Sequence, residues 1–276
     1  MQIKEQYKNI TSDSKGYFLG ENKYPRVSTF LGNLDKRFLI AWASKMCANK
    51  VGEFLDSKIV LPEMKCIFDA HLKDEMLELA KKEHIRVMNE AGEYGTLVHN
   101  AIETWLKGGD LNNIAKTKEE KELIKEPLES FKKWWIDGEY ELVASELAVV
   151  SKEYKFGGRI DIVARKKHEL IVVDIKTGSG VYKSAKAQCG GYSIALDEMC
   201  ENLHKFDFKY KDKPSKENPH IEKNIEVLKI SKTIICHIPK KNPKLKAIVV
   251  EGEEFEQAKN VFINLVDLYY NLKGVK

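Results

Sequence analysis

The chain has no CxxC pair and no run approaching the roughly 18 apolar residues that a membrane-spanning helix needs. The missing pairs, with cysteines odd in number (Cys47, Cys66, Cys189, Cys200 and Cys236), argue against a disulfide framework and a four-thiolate zinc or iron–sulfur centre. The amino-terminal stretch MQIKEQYKNITSDSKG lacks the apolar segment of a secretory leader, so the expectation is a cytoplasmic protein with reduced thiols and no membrane partner. A large charge of one sign is also lacking. Against 46 Lys+Arg stand 42 Asp+Glu, leaving a formal +4, so any nucleic-acid surface has to be local. There is no internal repeat and no long linker. What is present is 276 residues with 43% hydrophobic content, enough for one large domain or a core with helical additions.

Periodicity divides the chain near residue 92. Residues 28–50, behind a Ser28/Thr29 cap, and 69–90 read as helices, so 1–92 is expected to be a helical region packed on a core of 93–276. Within that core, 95–107 and 117–136 are helical, and the period then changes to two. ELVASELAVV (141–150), KFGGRIDIVAR (155–165) and LIVVDIK (170–176) read as three consecutive strands. Helix returns at 183–203, strands at 227–238 and 246–250, and an amphipathic helix at 253–273. The fold class is therefore α/β, a mixed central sheet flanked by helices. Lysine-rich residues 204–224, with two prolines and no periodicity, read as an exposed mobile loop, either a solvated excursion or a substrate grip.

VVDIKTGSG (172–180) invites a phosphate-cradle reading, but Lys176 precedes the glycines where a P-loop lysine follows them. GSGVYK supplies only two glycines of a dinucleotide fingerprint. The acids carry more information. A symmetric turn at Lys167-His168 places Asp161 opposite Asp174 on antiparallel strands, where two like charges destabilise the sheet unless a cation or proton separates them. Alternation puts Asp161, Val163, Val172, Asp174 and Lys176 on one face and Ile160, Ile162, Ile171, Val173 and Ile175 on the other. Hard oxygen donors suit Mg²⁺ or Mn²⁺, and an ammonium two residues on suits phosphodiester hydrolysis, in which a polarised phosphoryl group is attacked by a positioned water. The plainer alternative is an Asp174–Lys176 ion pair. Gly157-Gly158 suggest close approach of a backbone or substrate.

Other positions leave two readings each. His99 and Glu103, four apart, form a stripe beside the apolar face of Val98, Ala101, Ile102 and Trp105, as structural histidines also do. Gln188 and Tyr192, four apart, either hold a strand or make a polar rim over a packed Tyr. Glu146 sits mid-strand among apolar residues, where Arg159 is its simplest partner. Trp134 and Trp135, with Phe131, either stack bases or fill the core.

Together, GGRID…VVDIKTG, EYGTLVHNAIE (93–103) and AQCGGY (187–192) resemble, in order, the motifs of the RecB-like exonuclease branch of the PD-(D/E)XK nuclease superfamily. PRVSTFLG (25–32) is a weaker match, and 201–276 is left unassigned. The resemblance implies a restriction-endonuclease-like fold and a Mg²⁺- or Mn²⁺-dependent DNA exonuclease of repair, recombination or replication. It implies that Asp161, Asp174, His99 and the backbone carbonyl of Ile175 hold metal, with Glu146 a further acid facing it. Lys176 would position water, and Gln188 and Tyr192 would steady the strand. The cysteine triplet of cluster-bearing relatives is missing, so no iron–sulfur cluster is expected, and there is no helicase motif. The likeness is thus to free-standing members, such as mitochondrial genome maintenance and phage recombination exonucleases, acting on single- or double-stranded DNA with an accessible end. Alternatives are an endonuclease of the same superfamily, a nucleic-acid-binding module that lost catalysis, and a nucleotide-binding protein using TGSG.

Overall fold

A computed structural model describes residues 3–34, 37–58, 70–200 and 229–274. The expected loop at 204–224 lies outside these residues. Three short strands open the chain: β1 (Thr11–Asp13), β2 (Gly16–Leu19) and β3 (Asn22–Tyr24), an antiparallel meander. Then come α1 (Val27–Leu31), α2 (Arg37–Lys58), α3 (Ala70–Leu106) and α4 (Lys118–Asp137). The central sheet is built from β4 (Glu141–Ser151), β5 (Phe156–Lys166), β6 (Glu169–Lys176), β7 (Lys229–His237) and β8 (Lys246–Glu251), in that spatial order. Helix α5 (Lys183–Met199) precedes β7 in the chain, and α6 (Gly252–Gly274) follows β8.

The compact units are Met1–Asn33 with Leu97–Lys276, and Leu34–Thr96. The sequence reading ended the amino-terminal helical region at residue 92. Residues 11–24 instead form strands belonging to the sheet-bearing unit, and α3 runs unbroken where two helices were expected. Ala91-Gly92 does not interrupt it, because an exposed helical Gly costs only about 1 kcal/mol. In the smaller unit α3 is strongly charged, with Lys81 and Lys82 on Glu78, and Arg86 on Glu83 and Glu90, at three- and four-residue spacing.

In the larger unit, β4–β5, β5–β6 and β7–β8 pair antiparallel and β6–β7 pair parallel. The parallel step needs a crossover connection, and α5 lies in it, packed against β4 through β7. Both faces of the middle strands are covered. Ile160, Ile162, Ile171 and Val173 are buried, and so are Val163 and Val172 on the opposite face. Phe30 of α1, Phe156 of β5 and Phe262 of α6 meet edge-on with ring centroids 4.8–6.3 Å apart, fixing α1 and α6 against the sheet.

Candidate active site

The hairpin sets the site. Ile162 pairs with Val173 and Val163 with Val172, so the register continues to Asp161 opposite Asp174. Lys167 supplies the positive φ (53°) that lets two residues close the turn. The regular ladder stops just before the acids, and the Ile175 amide donates instead to Asp161 Oδ2 at 2.8 Å. On β4 the register carries Glu146 to the level of Asp161, between the pairs Ser145–Ile162 and Leu147–Ile160. Glu146 has φ 50°, a left-handed conformation that is costly for any residue with a Cβ. The carboxyl-terminal part of α3 adds His99, whose Nδ1 lies 3.6 Å from Asp161 Oδ2.

Thus one ligand atom from each of His99, Glu146 and Asp161 lies within 4.8 Å of the other two. Asp174 is 1% exposed and is bracketed by Lys176 Nζ, 2.9 Å from Oδ1 and 2.7 Å from Oδ2. Only the Oδ1 contact is aligned as a hydrogen bond, so Oδ2 is a buried carboxylate oxygen with no hydrogen-bond partner. Burial pushes the Asp161 carboxyl well above the usual range, and Asp174 pushes it further. Burial lowers His99, outweighing its acidic neighbours, which favours the neutral imidazole with one ring nitrogen's lone pair open to a cation. Burial opposes the charge on Lys176, but Asp174 and Asp161 outweigh it and raise the ammonium above its ordinary value. Three carboxylates, one of them with a buried oxygen that makes no hydrogen bond, and an imidazole make a donor set that fits a hard divalent cation.

Ile175 is buried beside Cys236 of β7, its amide engaged by Asp161 and its backbone reaching the His99 ring. Glu103 does not pair with His99 among the described contacts. It takes Lys107 and Ser145. On α5, Gln188 Nε2 donates to the Tyr192 hydroxyl at 2.8 Å. The Tyr192 ring is buried, and burial and Asp174 raise its phenol. The glycine pair of β5 has its explanation here: a Cβ on Gly158 would lie 2.5 Å from the Tyr192 ring, and one on Gly157 2.6 Å from Tyr17. The close approach anticipated from the sequence is therefore made by two tyrosines. Trp134 and Trp135 pack with Phe131 and Tyr140, and Trp135 is buried. At the TGSG turn, His237 Nε2 lies 2.8 Å from the Gly178 carbonyl, tying the loop to the end of β7.

A family model described as the PD-(D/E)XK nuclease superfamily matches residues 64–271, well over half of the chain. The chain belongs to the PD-(D/E)XK nuclease superfamily. Its mixed sheet between helices is the restriction-endonuclease-like architecture expected from the motifs, and the match takes in β7, β8 and α6, which the motifs left unassigned. Nucleases of this superfamily hydrolyse phosphodiester bonds of nucleic acid and generally use divalent metals. No curated protein matches the chain in sequence. Among solved structures, one similar protein is from Eubacterium rectale and provisionally named an exonuclease: 9% identity, TM-score 0.38, 62% of this chain and 64% of that one covered. The chain thus spans less than two thirds of that protein's length. A second, SSO0001, shows 15% identity and TM-score 0.33, with 83% of this chain and 86% of that one covered.

Two buried neighbours of the site escaped the sequence reading. Cys189 of α5 and Cys236 of β7 are buried within the field of Asp174, and burial, then Asp174, pushes both thiols well above their ordinary range. They are neutral packing groups, which no spacing motif marks. The sequence-based pairing of Arg159 with Glu146 holds, with Nη1 3.6 Å from Glu146 Oε2.

Proposed function

We propose that the protein is a Mg²⁺- or Mn²⁺-dependent DNA exonuclease acting in repair, recombination or replication. The observation that carries the reading is the convergence of His99, Glu146 and Asp161 beside an Asp174 oxygen that is buried and without a hydrogen-bond partner. Asp161, Asp174 and His99, with the Ile175 carbonyl and Glu146, would hold the ion. Such an ion supplies Lewis acidity toward the phosphoryl oxygen and a water of lowered pKa. Lys176, kept charged between two carboxylates, donates hydrogen bonds that orient the attacking water and offset charge growing on the phosphoryl oxygens. The Asp161 carboxylate is steadied by the Ile175 amide, which leaves its second oxygen for a ligand. Gln188 and Tyr192, already hydrogen-bonded to each other, offer an amide and a phenol on one helical face to steady the strand. For Trp134 the proposal of base stacking is confined to whatever edge the ring cluster leaves exposed.

A covalently closed single-stranded circle compared with its linear form, both with Mg²⁺ or Mn²⁺, tests the exonuclease assignment. Digestion of the linear DNA alone is expected. Cutting of the circle at a similar rate would make the protein an endonuclease of the same superfamily.

A further inference from the structure

Arg159 precedes Asp161 by two residues on β5, so strand alternation puts both side chains on one face. Its side chain is 45% exposed, at the solvent side of the acid cluster. Nη1 lies 3.6 Å from Glu146 Oε2, longer than a hydrogen bond, while Nη2 donates to Ser12 Oγ of β1 at 3.2 Å. A guanidinium has five N–H donors in a fork that matches phosphate, and among the described residues only Ser12 accepts one of them. A divalent cation held by Glu146, Asp161 and His99 would add positive charge beside Arg159 and Lys176, which favours a phosphodiester there.

We propose that Arg159 is a backbone-phosphate contact for the nucleic-acid substrate, and that Glu146 controls it. Without metal the Glu146 carboxylate retains the guanidinium. When that carboxylate turns to a cation, the fork is released to the phosphate, and metal occupancy is thereby coupled to substrate affinity. The proposal rests on the nuclease reading above. It differs from a simple surface ion pair, in which Arg159 would serve only as the counter-charge of Glu146.

The test is anisotropy of a fluorescent phosphorothioate DNA oligonucleotide, shown to stay uncut, in Mg²⁺ and in EDTA. Arg159→Ala should weaken binding about tenfold in Mg²⁺, lower the salt slope by about one phosphate, and change little in EDTA. Arg159→Lys, which keeps the charge and loses the fork, should fall between. Glu146→Gln should tighten binding in EDTA, and the gain should vanish in the Arg159→Ala/Glu146→Gln double variant. Mn²⁺ titrated calorimetrically without DNA should bind Arg159→Ala as tightly as wild type or more so. Arg159→Ala binding within twofold of wild type in Mg²⁺, a Glu146→Gln gain that survives in the double variant, or weaker Mn²⁺ binding by Arg159→Ala would overturn the proposal. If wild type meanwhile cleaves DNA, the nuclease reading survives that result. A folded wild type that neither binds nor cleaves DNA overturns both.

Discussion

Asp161 and Asp174 face each other in a sheet whose faces are both covered, and the folded state carries that repulsion when no cation is bound. The Asp161 carboxyl is raised, so its proton is held more tightly in the folded than in the unfolded chain. Stability from this group is therefore fully present below its unfolded pKa and is lost as pH rises through the folded value. At neutral pH without metal, Asp161→Asn should raise the melting temperature by a few degrees, on the order of 1 kcal/mol, because an amide oxygen still accepts from Ile175. Melting wild type and variant from acid to neutral pH checks it, and the difference should shrink in acid. Glu146 adds a second local cost. At φ 50° a glycine is unstrained and an alanine is not, so Glu146→Gly should be more stable than Glu146→Ala by on the order of 1 kcal/mol in urea unfolding. Equal stabilities would mean that the left-handed backbone is not held in solution.

Among the elements, α5 packs against β4 through β7 and against α6 of the larger unit. Gly190 is what allows its approach to α6: an added Cβ would lie 2.7 Å from the backbone carbonyl of Ala258 and 2.8 Å from Lys259 N. Backbone atoms cannot rotate aside as a side chain can. Gly190→Ala should thus cost about 1–3 kcal/mol by forcing the helices apart, read by chemical denaturation, whereas an exposed helical glycine such as Gly92 should tolerate alanine. The strands that present Asp161, Asp174 and Lys176 were legible in the sequence because alternation and a two-residue turn fix the register. The β1–β3 meander was not, since its strands are only three or four residues long, too short for an alternation to stand out. The glycine pairs were visible, but which rings or helix would approach them depended on tertiary packing alone. Arg159 was legible only as a partner for Glu146, and the buried cysteines had no spacing signal, so their place beside the acids is what reveals them.

For the whole molecule, the larger unit brings residues from α3, β4, β5, β6 and α5 to one place, although they span positions 99 to 192 of the chain. Among the described residues no helix is long and apolar enough to cross a membrane. The most direct measurement is cleavage of end-labelled linear DNA by the whole chain with Mg²⁺ or Mn²⁺, with EDTA, and with the Asp174→Ala and Lys176→Ala variants shown by circular dichroism to be folded. Nucleotide release by wild type with either metal, and a loss of at least about a thousandfold in EDTA and in both variants, is the predicted result. Cleavage that persists in EDTA, or in folded Asp174→Ala protein, would contradict the account.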